Sequence, residues 1–149
     1  MSDQADVELR LLSHPRNLCV ARAAVEALLR RLCCDDGDAA RVVLAVDEAL
    51  SNVIRHGYDG RNDQPIWLRL WCNGDAAATG LRIVIDDEGR QVDPAQIVPR
   101  ELEEVRPGGL GVHIIREVMD KVSYSARPGG GMSLSMTKRF SPSATPCPE

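Results

Sequence analysis

The chain is poor in aromatic residues, with two tryptophans, two tyrosines and one phenylalanine among 149 residues. A surface that stacks nucleobases needs more rings than that, so single-stranded nucleic acid is not an expected partner. Positive charge is not in excess either: 18 Lys and Arg stand against 22 Asp and Glu, for a net charge of −4. A nucleic-acid binder usually carries a basic field. No apolar run approaches the roughly 20 residues of a membrane span. The N-terminal MSDQADVELR is acidic and polar and does not read as a secretory signal, so a cytoplasmic location is expected. Cys19, Cys33, Cys34, Cys72 and Cys147 are odd in number and lack C-x-x-C spacing, which argues against a zinc site or a disulfide framework. The adjacent Cys33 and Cys34 read as small residues closing a helix, with a redox pair as the less ordinary alternative.

What is present suits one globular domain, since domains usually run to roughly 100–200 residues. Residues 1–140 are expected to form it, with the Pro/Ser-rich SPSATPCPE after Phe140 as a disordered tail. Residues 7–12 (VELRLL) alternate as a strand. Pro15 suits the opening turn of a helix, and 17–33 carry apolar residues at helical spacing. A second helix is expected over 38–56, stopping at Gly57. Strands follow over 66–72 and 81–87, with a hairpin-type turn at Asn73-Gly74-Asp75. A linker from Asp93 includes an acidic, helix-like piece near 100–104, broken by Pro107-Gly108-Gly109. A third helix over 110–119 and strands over 121–126 and 132–140 complete the order. Helices and hairpin strands are segregated, which predicts an α+β fold with a mainly antiparallel sheet and helices on one face.

Three places carry chemistry. At about 100° per residue, Glu48 and Asn52 lie about 40° apart on the second helix, away from its apolar side. A solvated face is the bland reading. A carboxylate and a carboxamide one turn apart can also hold a hydroxyl and a hard cation together, and Mg²⁺ prefers such oxygen ligands. Next, the strand over 81–87 ends in Asp86-Asp87-Glu88-Gly89, where glycine permits a tight turn with positive φ. An aspartate fixed there can accept from an amino group such as adenine's, although most such patterns are simple turns. Finally, Pro107-Gly108-Gly109-Leu110-Gly111 opens the third helix. Glycines let backbone N–H groups approach an anion, and a helix N-terminus favours negative charge. The pattern is neither a P-loop nor a Rossmann fingerprint, and a hinge or a plain helix start is the other reading.

The segments AVDEALSNVIRHGY at 45–58, IDDEGR at 85–90 and GGLGVHIIREVMD at 108–120 resemble the asparagine box and two glycine boxes of one nucleotide-binding domain. It is the domain shared by gyrase B, histidine kinases and mismatch-repair ATPases. More narrowly, the chain resembles the serine kinases of the anti-sigma-factor type, over 7–140. The resemblance implies a two-layer α/β sandwich of the histidine kinase-like ATPase type, with ATP and Mg²⁺ as cofactors. Asn52 would ligate Mg²⁺, and Glu48 would be the catalytic base for a substrate serine. Asp87 would bind the adenine amino group, with Gly89 shaping its turn and Thr137 near the base. Gly108, Gly109, Leu110 and Gly111 would face the phosphates. Residues 93–108 would form a lid, with Arg106 as a phosphate contact.

The resemblance also implies a small anti-anti-sigma-like protein as substrate, a sigma factor as second partner, and a homodimer formed through the first strand and helix. His56 and His113 are expected to be structural or hydrogen-bonding residues. A histidine kinase is not expected, because no phosphoacceptor hairpin precedes the domain in these 149 residues. One departure stands out: Gln91 occupies the position of a second glycine in the first glycine box. It keeps open the alternative of a nucleotide-gated partner-binding module with little catalysis. A kinase unit serving a stressosome-like or phosphatase pathway is a further alternative.

Overall fold

Alternation in VELRLL leaves one side of that segment apolar, and it pairs as strand β1 (Val7–Leu12). A computed structural model describes residues 4–32, 34–74, 79–97 and 109–141. Helix α1 (Leu18–Arg31) follows a 3₁₀ turn that Pro15 opens. Helix α2 (Asp36–Asn52) starts two residues before the expected Asp38, because Asp35 caps it: its carboxylate accepts from Gly37 N–H at 2.9 Å and Asp38 N–H at 3.3 Å. Strands β2 (Pro65–Gly74) and β3 (Thr79–Asp87), helix α3 (Gly109–Val118), and strands β4 (Lys121–Ala126) and β5 (Met132–Phe140) complete the order. The helix-like piece near 100–104, Cys33, Asp75 of the expected hairpin turn, and the tail beyond Ser141 lie outside the described residues.

Helical winding ends at Gly57, as expected, but its last turn is not α-helical. The helix changes after Asn52 into a π-wound turn, Val53–Gly57, closed by Tyr58 N–H on the Val53 carbonyl at 2.9 Å. Just beyond this turn, Asp59 and Gly60 take positive φ. Such wide turns recur at functional sites.

The five strands form one sheet in the order β1-β2-β3-β5-β4, and all four pairings are antiparallel. No parallel pair occurs among the described residues, which accords with the α+β fold and mainly antiparallel sheet expected from the sequence. Leu68, Leu70, Leu81, Ile83, Ile85, Leu134 and Met136 project from one face into the core. Val25 and Leu29 of α1, Val46 and Leu50 of α2, and Ile115 of α3 meet them. Each side chain fully buried there contributes about 1.5–3 kcal/mol. The alternate positions face the other way. There Arg82 and Arg69 stack on Trp71 at 4.7 and 5.6 Å, Arg127 on Trp67 at 5.2 Å, and Arg69 pairs with Asp86. Among the described helices none is long and apolar enough to cross a membrane.

Candidate functional site

The apolar spacing of α2 buries Ala45, Val46, Ala49 and Leu50 against the sheet, which turns Glu48 and Asn52 toward the start of α3. Gly111 sits directly on them. A Cβ built there would lie 2.8 Å from Glu48 Oε2 and 3.3 Å from the Asn52 amide nitrogen. Any larger residue would push the pair aside. Asn52 Oδ1 is buried and has no hydrogen-bond partner among the described residues. A buried acceptor left without a donor costs about 1–3 kcal/mol, so something should meet it. Glu48 also faces the Arg55 guanidinium at 3.8 Å, a partly exposed pair.

Asn52 also lines an adjoining pocket. Its walls come from the end of α2 (Ala49, Val53, His56, Gly57), from Ile85 and Asp87 of β3, from Arg90, Val92 and Ile97, from Val112 of α3, and from Tyr124, Met132 and Leu134. These walls are largely apolar, and the one buried carboxylate among them is Asp87, 4% exposed. Asp87 Oδ1 accepts from Gly89 N–H at 2.8 Å and Met132 N–H at 3.2 Å. Burial raises the Asp87 pKa above its ordinary value. The two N–H bonds and the Arg127 charge oppose that rise only in part.

The turn after Asp87 is fastened to its surroundings. Arg90 N–H bonds the Gly57 carbonyl at 2.9 Å, and Tyr58 accepts from Glu88 N–H at 2.7 Å while donating to the Pro65 carbonyl. Gly89 does not take the positive φ expected of it. What it supplies is room, since a Cβ there would lie 2.5 Å from the Gly57 carbonyl oxygen.

The structure thus brings Glu48, Asn52 and Gly111 together, and Asp87 and Gly89 into the neighbouring pocket. Gly109 and Leu110 open α3, whose backbone continues into Gly111. Arg106 and Gly108 lie outside the described residues. Thr137 is not brought to the pocket. It pairs with Arg82, whereas the residue opposite Asp86 is Ser133, four positions earlier on β5. It also alternates with Leu134 and Met136 and so faces away from the core. The β5 residues that reach the pocket are Met132 and Leu134. Sequence reading missed these two, with Tyr124, Val92 and Ile97, because only strand register and loop path bring them there. His56 lines the pocket, and His113 faces Glu117 at 3.4 Å.

Comparison with known proteins bears on the family and the fold. A family model described as histidine kinase-like ATPase domain matches residues 11–138. The chain is 28% identical over 144 residues to the anti-sigma F factor of Clostridium beijerinckii, covering 94% of this chain and 97% of that protein. It is 27% identical over 140 residues to the serine-protein kinase RsbW of Staphylococcus aureus, covering 89% and 85%. Its fold is similar to the crystal structure of the RsbU and RsbW domains of Rv1364c from Mycobacterium tuberculosis. There the TM-score is 0.63 at 18% identity, over 91% of this chain and 32% of that longer one. The chain belongs to the histidine kinase-like ATPase domain family, and within it resembles the anti-sigma factors and their serine kinases.

Proposed function

We propose that the chain is an ATP-dependent serine/threonine protein kinase and anti-sigma-type regulator, with a small anti-anti-sigma-like protein as its substrate. One observation carries the reading: Asn52 both lines the pocket that holds Asp87 and touches Gly111 beside Glu48. A base site and a transfer site are therefore contiguous. Relatives named anti-sigma F factor and serine-protein kinase support the class.

Phosphoryl transfer asks a protein mainly for positioning and charge neutralisation. Asp87 Oδ1 is occupied by two backbone N–H groups, which leaves its other oxygen for the amino group of adenine. The apolar walls suit the faces of the base. The start of α3 turns backbone N–H groups and the positive end of its dipole toward the phosphates, where Gly109 and Gly111 admit close approach. Arg106 and Gly108 belong to the same phosphate-binding proposal. The residues present also fit Mg²⁺, because Asn52 Oδ1 is a buried oxygen with no hydrogen-bond partner among the described residues. Among the described residues no three His, Cys, Asp or Glu side chains gather to hold a metal. An ion arriving with the phosphates and taking one protein oxygen suits that site. When bound, Mg²⁺ would offset phosphate charge. Glu48 takes the serine proton as the serine oxygen bonds to the γ-phosphorus, and the bond to the β-phosphate oxygen breaks to leave ADP.

The binding-module alternative draws on Gln91. Its side-chain amide is bonded to the carbonyls of Arg127 and Gly131, and Gln91 is not among the pocket-lining residues. It raises no obstacle there, and the kinase reading is the better supported. The test mixes the protein with labelled ATP, Mg²⁺ and candidate anti-anti-sigma proteins. The expected product is phosphoserine on one of them, absent with Glu48→Ala. ATP binding without transfer to any would favour the binding module, and no nucleotide binding would overturn both readings.

A further inference from the structure

The turn that joins β4 to β5 is an unusual support for a binding pocket. Gly129, Gly130 and Gly131 follow Pro128 with φ of 86°, 124° and 88°, three successive residues in the left-handed region. Glycine reaches that region at no steric cost but loses the most conformational freedom on being fixed there. Left alone, such a segment would be loose. Yet it presses on the residue that matters most in the pocket. A Cβ on Gly131 would lie 1.8 Å from the Asp87 carbonyl oxygen, and the next N–H, of Met132, bonds Asp87 Oδ1.

Two side chains hold the turn in place. Arg127 donates to the Asp87 carbonyl at 2.6 Å, with its guanidinium stacked on Trp67. Gln91 reaches across from the other side: its Nε2 donates to the Arg127 carbonyl at 2.8 Å and the Gly131 carbonyl at 3.2 Å. Those carbonyls bracket the glycines. The backbone closes the same bracket through Arg127 N–H on the Gly131 carbonyl at 3.0 Å. Gln91 itself lies four residues after Asp87, so one side chain ties both ends of the turn to the loop that carries the aspartate.

We propose that Gln91 is a positioning residue: it clasps the glycine turn over 128–131 so that Met132 N–H fixes the Asp87 carboxylate in the orientation that receives an adenine amino group. The residue that departs from the glycine-box pattern thereby replaces backbone freedom with a fixed hydrogen-bonding frame. The base it serves rests on the nucleotide reading above; the clasp does not. Adenine offers an N–H donor where guanine offers an acceptor, so a fixed carboxylate favours the first and repels the second.

Glutamate at 91 keeps the shape of glutamine but cannot donate to a carbonyl. Backbone hydrogen exchange of the nucleotide-free full chain reads the clasp directly. In Gln91→Glu and Gln91→Gly, exchange at 130–132 is expected to accelerate about tenfold, the scale of one lost hydrogen bond, while the helices exchange as in wild type. The preference for ATP over GTP, taken as a ratio of dissociation constants, is expected to fall about tenfold in both variants. A purely structural contribution would weaken both nucleotides alike and leave that ratio unchanged. Unchanged exchange in both variants overturns the clasp. Faster exchange with an unchanged ATP-to-GTP ratio overturns its role in orienting Asp87. A wild-type chain that binds neither nucleotide contradicts the kinase reading and the positioning role together, while the exchange result still judges the clasp on its own.

Discussion

The roles proposed for Asp87 and Glu48, receiving an amino group and taking a proton, ask for different surroundings: Asp87 is buried, and Glu48 is partly exposed. Burial raises the Asp87 pKa above the ordinary 3.8. Between 3.8 and that raised native value, the folded protein binds more protons than the unfolded chain, so stability falls as pH rises through the window. Asp87→Asn stays neutral throughout and should lose that slope. Urea midpoints for both proteins from about pH 4 to about pH 7 check it, with the variant gaining on wild type toward the upper end. The same variant should bind ATP more weakly. Asn52 makes a different prediction, because the proposed function gives its buried Oδ1 to a cation. Asn52→Ala should abolish most of the Mg²⁺-dependent gain in ATP affinity and leave the Mg²⁺-free affinity nearly unchanged, as titration calorimetry would show.

At the scale of elements, the site depends on how the end of α2 is joined to the end of β3. Tyr58 links them through one hydroxyl, which accepts from Glu88 N–H and donates to the Pro65 carbonyl. Tyr58→Phe removes both of these part-buried hydrogen bonds and should cost about 1 kcal/mol in chemical denaturation. Gly89→Ala should cost about 1–3 kcal/mol by overpacking, since the added methyl meets the Gly57 backbone rather than a side chain that can swing away. Periodicity alone located β1, β4 and β5 at their observed bounds, and it located the three helices to within a few residues. It could not show the π-wound turn, because VIRHG has the composition of an ordinary last turn. It also could not show that Gly89 has no room for a side chain because the Gly57 backbone lies against it, since the two stand 32 positions apart in the chain.

At the scale of the whole molecule, one apolar face of one sheet carries three helices among the described residues, and the candidate site sits where α2 and α3 meet the β3 end of that sheet. Glu48, Asn52 and Gly111 stand in local patterns, a helical stripe and a glycine-rich helix start, that made them candidates, while the roles proposed for them come from the family resemblance. Thr137 could not be placed, because its distance from Asp87 is set by the pairing of β3 with β5, which local spacing does not encode. Met132 and Leu134 escaped notice for the same reason. The central claim is that Glu48 serves the chemistry of transfer and not the binding of ATP. Transfer of labelled phosphate to a serine of the anti-anti-sigma partner, at saturating ATP and beside the ATP dissociation constant, tests it most directly. Glu48→Gln should lower the transfer rate by about 10²–10⁴-fold, the range typical of a lost general base, with ATP affinity unchanged. Transfer at the wild-type rate in that variant, or a loss explained wholly by weaker ATP binding, would contradict the account.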